Sequence, residues 1–440
     1  MTNINCNHLI KETDSEFLID RSIYTDNNIF EREIQNIFES TWNYIAHESQ
    51  IKNSGDYFST YIGNQPIFIV KKSDGSINGF LNACSHRGAT LAPLESGNSK
   101  GFRCRFHGWT FNSDGKCIVI KNQDTGGYAD SNIIGRSALT PIAKLAVYRG
   151  FIFGSLNSDV PELSSWLKGT TAWIDCLVDQ SPDGLEVIKG QSTYRLYGNW
   201  KLQAENGVDG YHVSTVHRVF ANTIANRESK LSLTGMKETE AGRITGQVET
   251  GSYGFGNGHM GIWTERSKPT AHPVWQEKNR LENEFSNSQV HWMLYRTRNL
   301  YVFPNVFIMD NPSTQIRTMR PLSPNVCDVT VRCIAPVGES KESRAARIRK
   351  FEDFYLTSGM ATSDDLAALE SVHEGSRATK AQWNNFARGA TQTFKGYECE
   401  DFPLDGIPPE ITTKNWDHES IYKGFYREWK KLISQEEKND

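Results

Sequence analysis

Apolar residues recur every three to four positions across residues 27–45 (NNIFEREIQNIFESTWNYI), the spacing of one amphipathic helix. From Asp56 the period drops to two, in DYFSTYIG, QPIFIVKK and INGFLNAC, which predicts short half-buried strands. Asp74-Gly75 separates two of these runs and Asn112-Ser-Asp-Gly115 follows them, both hairpin signals because Gly supplies the positive φ that a tight turn needs. VYRGFIFGSL reads as the strand that closes this region. Further on, EVIKGQSTYRLYGNWKL predicts a strand pair leading into a helix near Trp200–His217. YVFPNVFIMD, TQIRTMRPL and DVTVRCIAPVG predict successive antiparallel strands, and SKESRAARIRKFEDFYLTSG a charged helix.

The pattern therefore predicts an α+β protein in three parts: an N-terminal helical segment at 1–44, a small all-β domain at 45–157, and a larger domain at 158–440 built on an antiparallel sheet flanked by helices. A chain of 440 residues with 38% hydrophobic and 11% aromatic residues has material for more than one core. The net charge of −4 gives no basic stripe for a nucleic acid. No apolar run reaches the roughly 20 residues of a membrane helix, and MTNINCNHLIKETDSEFLID has no signal-peptide core, so a cytoplasmic location is expected. Eight cysteines are too sparse for a disulfide scaffold, and Cys6, Cys117, Cys176, Cys327, Cys333 and Cys399 read as small buried hydrophobes.

Two clusters carry chemistry. Cys84-x-His86 and Cys104-x-x-His107 flank a polar loop, each side offering one thiolate and one imidazole. Zinc accepts two Cys and two His, but zinc fingers usually pair Cys with Cys and His with His. One mixed pair from each of two loops suits a Rieske [2Fe–2S] centre, in which one iron takes two Cys and the other two His. Gly88 and Gly108 would let backbone amides approach the sulfides, and Phe106 and Trp109 would shield the cluster. The second cluster, NWKLQAENGVDGYHVSTVHRVF, gathers Glu205, Asp209, His212 and His217. Two His and one carboxylate on one face of Fe(II) leave positions open for O2 and substrate. His212 and His217 lie about 140° apart on an ideal helix, so both reach one metal only if the helix bends or bulges. Asp209 and His212, three apart, would share a helix face.

Both motifs, in this order, resemble the large (α) subunit of Rieske non-haem iron aromatic-ring-hydroxylating dioxygenases, within the benzoate, toluate, halobenzoate, anthranilate and aniline group. LVDQSPDGLEV, GNWKLQAENGVDGYHVSTVH, RNLYVFPNVFIMD and FEDFYLTSGMATSDDL carry the likeness over residues 25–370, and the loops lack the extra cysteine pair of respiratory Rieske proteins. The resemblance implies a [2Fe–2S] cluster on Cys84, His86, Cys104 and His107, and Fe(II) on His212, His217 and an aspartate of SDDL, Asp365 rather than Asp364, with Ser363 capping a short helix. It makes Asp209 the bridge that joins a cluster histidine of one subunit to an iron-bound histidine of the next, not an iron ligand. Val208 and Tyr355, the latter where relatives have Phe, are candidate pocket residues, and Arg296 and Arg298 candidate partners of a substrate carboxylate.

The implied activity is cis-dihydroxylation of a monocyclic arene bearing an amino or carboxyl group, of the aniline, anthranilate or benzoate type. It uses O2 and electrons from NADH through a flavin/iron–sulfur reductase, and gives a cis-diol or a catechol. A small β subunit and an α3β3 hexamer are the implied partners. A Rieske monooxygenase has the same ligand set and is the alternative within enzymes; a non-catalytic electron carrier or zinc protein would not need the more than 300 residues beyond the first motif. The segment RVFANTIANR after His217 departs from the W/Y-N-Y stretch of benzoate and anthranilate relatives, which leaves the ring substituent open.

Overall fold

The computed structural model describes residues 6–130, 132–220, 222, 223, 226, 248–396 and 406–435. It divides into two compact units, Phe38–Leu163, and Met1–Ile37 with Ser164–Asp440. Among the described residues no helix is long and apolar enough to cross a membrane. The described cysteines outside the Cys–His loops, Cys6, Cys117, Cys176, Cys327 and Cys333, are buried, as small hydrophobes would be, while Cys399 lies outside the described residues.

The predicted helix over 27–45 ends early. An α-helical turn, Asn27–Arg32, runs into a π-helical one, Glu33–Phe38, and Asn43–His47 is a strand. The physical reason is Asn43, whose side-chain amide donates to the carbonyls of Phe38 and Thr41 and so satisfies the helix end that further turns would have used.

Phe38–Leu163 is all-β. Ile77–Leu81, Gln65–Lys71, Asp56–Ile62 and Ser96–Asn98 form one antiparallel sheet in that order; Cys117–Val119, Thr110–Phe111 and Phe102–Arg103 form a second; Lys144–Tyr148, Phe151–Ser155 and Asn43–His47 a third. The Asp-Gly turns fall between paired strands as expected, with Gly75 at φ +86° and Gly115 at φ +76°. Phe68, Phe80, Phe102 and Phe111 pack into the core that supports the Cys–His loops.

The larger unit is built on a nine-stranded antiparallel sheet. Its strands are β1 (Leu185–Val187), β2 (Ser192–Leu196), β3 (Thr250–Gly256), β4 (His259–Glu265), β5 (Arg296–Val302), β6 (Val306–Met309), β7 (Gln315–Ser323), β8 (Val326–Pro336) and β9 (Ile411–Thr413). The order is β1-β8-β7-β6-β5-β4-β3-β9. β1 and β2 do not pair with each other, as the sequence suggested; both lie along one edge of the 11-residue β8. β8 buries Cys327, Val329, Val331 and Cys333 in alternation, the period that made it a strand.

Four helices position the site: α1 (Trp200–Asn206), α2 (Val213–Val216), α3 (Lys341–Tyr355) and α4 (Thr362–Ser376). A fifth, α5 (Tyr422–Ile433), packs on the sheet and buries Tyr422, Phe425, Tyr426, Trp429 and Ile433, a three-to-four spacing that gives it one wide apolar face. Each such side chain contributes about 1.5–3 kcal/mol by leaving water.

The start of α1 is fixed by a carboxylate with no exposure at all. Glu33 accepts from the indole N–H of Trp200 at 2.8 Å and of Trp429 at 2.7 Å, and pairs with the Lys201 ammonium. Burial pulls the lysine below its ordinary range while Glu33 opposes the shift. Lys201→Met would strand the carboxylate in the core and is expected to cost about 3–5 kcal/mol, read as a lowered thermal midpoint.

One turn along α1, Glu205 accepts hydroxyl protons from Tyr24 and Tyr426. Burial dominates at its carboxyl and pushes it up to about 7. A folded carboxyl above its unfolded value favours the folded state most below the unfolded pKa and loses that advantage as pH rises. Glu205→Gln should therefore gain stability relative to the parent as pH rises from about 4.5 to 7 and hold that gain above it, measured by denaturant titration at each pH.

Candidate functional site

The two Cys–His loops have the same backbone plan. Cys84 N–H donates to Ala89 O and Gly88 N–H to Cys84 O; Cys104 N–H donates to Trp109 O and Gly108 N–H to Cys104 O. Gly88 and Gly108 sit at φ +74° and +78°, conformations that L residues rarely adopt. The plan turns both thiols inward, where Cys84 and Cys104 are buried beside each other. The imidazoles point the other way: His86 is exposed, and its ring centroid lies 4.6 Å from that of His107. Trp109 is buried and stacks on His86 at 4.7 Å, whereas Phe106, against His107 at 3.8 Å, is 57% exposed and covers the tip from outside. His107 Nδ1 is buried without a partner. Two thiols on one side, two imidazoles on the other and an unused ring nitrogen fit a [2Fe–2S] cluster of the mixed Cys/His kind.

In the larger unit α1 stops at Asn206, with Gly207 as its C-terminal cap. Gly207 and Gly210 have room for no side chain: a Cβ on Gly207 would lie 2.3 Å from the Phe307 ring, and one on Gly210 2.5 Å from the Trp416 indole. The predicted helix over Trp200–His217 is thus two helices with a loop between, rather than one bent or π-bulged helix. Asp209 and His212 belong to the loop and its end, not to a helix face. His212 and His217 stand at the two ends of α2, and their Nε2 atoms come within 3.2 Å.

Asp365 closes the set, 3.3 Å from His217 Nε2 and 3.5 Å from His212 Nε2 through Oδ1. It lies in the first turn of α4, a 15-residue helix that begins after Ala361, so Ser363 is not its cap and the helix is not short. Metal–ligand bonds of roughly 2.0–2.2 Å at 90–109° put donor atoms roughly 2.8–3.6 Å apart, so the three can hold one ion. His217 Nδ1 is buried without a partner, and His212 Nδ1 is 3.1 Å from Asp209 Oδ2 but not aligned for a full hydrogen bond. Burial lowers the His212 pKa, but Asp209 and then Asp365 outweigh it and hold it above the ordinary histidine range. Burial raises Asp365, but His217, His212 and Arg317 together hold its carboxyl below the ordinary range.

Other expected site residues resolve differently. Val208 is buried, its carbonyl 3.5 Å from the Tyr422 hydroxyl. The Tyr355 hydroxyl donates its proton to Asn311 O, so it has none to donate to a ligand. Arg298 is engaged with Asp310, which Arg266 approaches at 3.5 Å. Arg296 pairs with Glu265 at 2.9 Å and lies 3.8 Å over Trp263. Their charges are spent inside the fold. The sequence reading missed Asn206, whose amide donates to Asp365 Oδ1 at 3.3 Å, and Phe354, whose ring sits 5.5 Å from His217 and 5.0 Å from Phe220. Asn206 was signalled by its place before Gly207; Phe354 by nothing short of the phase of α3.

Gly207→Ala would push the ligand loop off Phe307. Iron should fall from about three toward two per chain while the visible spectrum of the [2Fe–2S] cluster is kept, measured by metal analysis and absorbance.

A model for the family described as Ring hydroxylating alpha subunit (catalytic domain) matches residues 186–435, and one for the Rieske [2Fe-2S] domain matches 41–144. Toluate 1,2-dioxygenase subunit alpha of Pseudomonas putida is 41% identical over 97% of this chain and 93% of its own length. Anthranilate 1,2-dioxygenase large subunit of Acinetobacter baylyi is 36% identical over 96% of this chain and 91% of its own. A naphthalene 1,2-dioxygenase structure with indole bound in the active site shares the fold, with a TM-score of 0.83 at 24% identity over 98% of this chain and 95% of that one. With both domains matched in one chain, and with relatives of this closeness over nearly its full length, the chain belongs to the ring-hydroxylating dioxygenases as an α subunit, binding a Rieske [2Fe–2S] cluster and a mononuclear iron.

Proposed function

We propose that this chain is the large subunit of a terminal oxygenase that cis-dihydroxylates a monocyclic arene bearing a carboxyl or amino group, with O2 and electrons from NADH. The observation that carries the reading is the convergence of His212, His217 and Asp365 within 4.8 Å of one another, in a chain that also presents the paired Cys–His loops. Cys84, Cys104, His86 and His107 would hold the cluster, and His212, His217 and Asp365 the iron. When bound, the cluster supplies single electrons and the mononuclear iron supplies O2 binding and activation.

The chain's own residues prepare that site. Asp209 stands at His212 Nδ1, keeps the ring turned so that Nε2 faces the ion position, and can hold the Nδ1 proton. Asn206 anchors Asp365 by one carboxylate oxygen. Phe354 lies against His217, with Phe220 packed on Phe354, so hydrocarbon covers that side of the imidazole. Toluate and anthranilate, the substrates in the relatives' names, are both benzoates, which supports a benzene ring with a small polar substituent. Partners are a small β subunit and a flavin/iron–sulfur reductase, in an α3β3 assembly where Asp209 bridges to the next subunit's cluster, and the location is cytoplasmic, where NADH is found.

The test is a single turnover of the reduced oxygenase under ¹⁸O2 with benzoate, anthranilate and aniline. Two labelled atoms from one O2 in a ring diol or catechol are expected. One labelled atom, the other leaving as water, would make the protein a monooxygenase.

A further inference from the structure

Five arginines are buried among the described residues: Arg266, Arg296, Arg298, Arg317 and Arg347. Four have a carboxylate within ion-pair distance. Arg266 and Arg298 share Asp310, Arg296 pairs with Glu265, and Arg347 pairs with Glu339. Arg317, on β7 and 4% exposed, has no carboxylate within ion-pair distance among the described residues, and its Nε lacks any hydrogen-bond partner. Its flat guanidinium lies against aromatic rings, 5.7 Å from the Tyr355 centroid and 6.0 Å from that of Phe307. A guanidinium cannot shed its proton to escape the cost of burial, so an uncompensated one in a core marks a place where an anion is to be supplied.

The sheet register shows where that place is. Arg317 stands opposite Phe307, and Phe307 opposite Tyr301; one row along, Gln315 stands opposite Met309 and Met309 opposite Asn299. Directly paired residues and next-but-one neighbours share a face, so all six project to one side of the sheet. That side carries the ligand loop: Gly207 rests on Phe307, and Asn299 donates to Gly207 O at 3.3 Å. The residue before, Asn206, is bonded to Asp365. The charge of Arg317 reaches both Asp365 and Tyr194. Asn299 Oδ1 and Gln315 Oε1, on the same face, are buried acceptors without donors among the described residues. The wall beneath the metal-binding triad thus offers one cation flanked by acceptors, the complement of an aromatic carboxylate beside a donor substituent.

We infer that Arg317 binds the carboxylate of the substrate by a forked pair of N–H donors, and that it selects aromatic acids over anilines and unsubstituted arenes. Tyr355 serves it as a positioning residue: its hydroxyl, tied to Asn311 O, fixes the ring on which the guanidinium lies. The inference rests on the ring-dihydroxylation reading and narrows its substrate class.

Calorimetric titration of the intact, air-oxidised oxygenase, which does not turn over, tests it with benzoate, anthranilate, aniline and the neutral isostere benzamide. Arg317→Met should weaken benzoate roughly 50-fold or more and change benzamide by less than about 3-fold. Arg317→Lys, a point charge without the fork, should fall between. The ligand-free thermal midpoint of Arg317→Met should equal or exceed that of the parent, since an uncompensated buried charge has gone. Unchanged benzoate affinity in the Met variant, equal losses for benzoate and benzamide with a lowered midpoint, or a parent that favours aniline over both acids would each overturn the inference. Because binding is read without chemistry, these failures are distinct from failure of the dihydroxylation reading, which is a parent that incorporates no O2 into any of these arenes.

Discussion

A single buried carboxylate sets the frame on which the larger unit depends. Glu33 sits at the end of an N-terminal helical turn, takes the indole protons of Trp200 and Trp429, and pairs with Lys201. It therefore ties the first turn of α1 to both an early and a late part of the chain. α1 is seven residues long, too short to hold its own direction, so its aim comes from this anchorage and from Asn199, which caps it by accepting from Lys201 N–H. The far end of α1 then determines where Asn206, Gly207 and the ligand loop begin. A charge pair that contributes little net stability by itself thus acts through position.

The second constraint is space. Gly207 and Gly210 have ordinary negative φ, so neither is required by backbone conformation; each is required because an aromatic ring occupies the volume of a Cβ. Phe307 and Trp416 hold the loop down by contact, and the loop in turn brings His212 to the position His217 and Asp365 face. The sheet contributes rigidity on one side and polarity on the other, with four of the five buried arginines consumed by partners that keep strands and helices together. The fifth, Arg317, has no carboxylate at ion-pair distance among the described residues, as a residue reserved for a ligand would.

What was legible in the sequence follows the range of the interactions involved. Strands such as β8 showed in the alternation of Cys327, Val329, Val331 and Cys333, and the Asp-Gly turns marked two hairpins, because both signals are local. The Cys–His loops showed in their spacing. Asp365 did not: 148 positions separate it from His217, and only likeness to a family singled it out. The early end of the first helix was hidden because an asparagine side chain five residues on replaced the next turn. Tyr355 was singled out because relatives have Phe in its place, a signal that says nothing of where a ring points; one residue of rotation on α3 moves a ring from beside Arg317 to beside His217.

The break between α1 and α2 has a consequence for how such a site can change. In an unbroken helix, adding or removing one residue turns every later side chain by about 100° and would scatter a ligand set. Here the azimuth of His212 and His217 is set by where α2 lies, not by the count of residues back to Trp200. The loop works as slack in a tether: its length can drift while the two ends of the four-residue α2 still deliver both imidazoles to the same point.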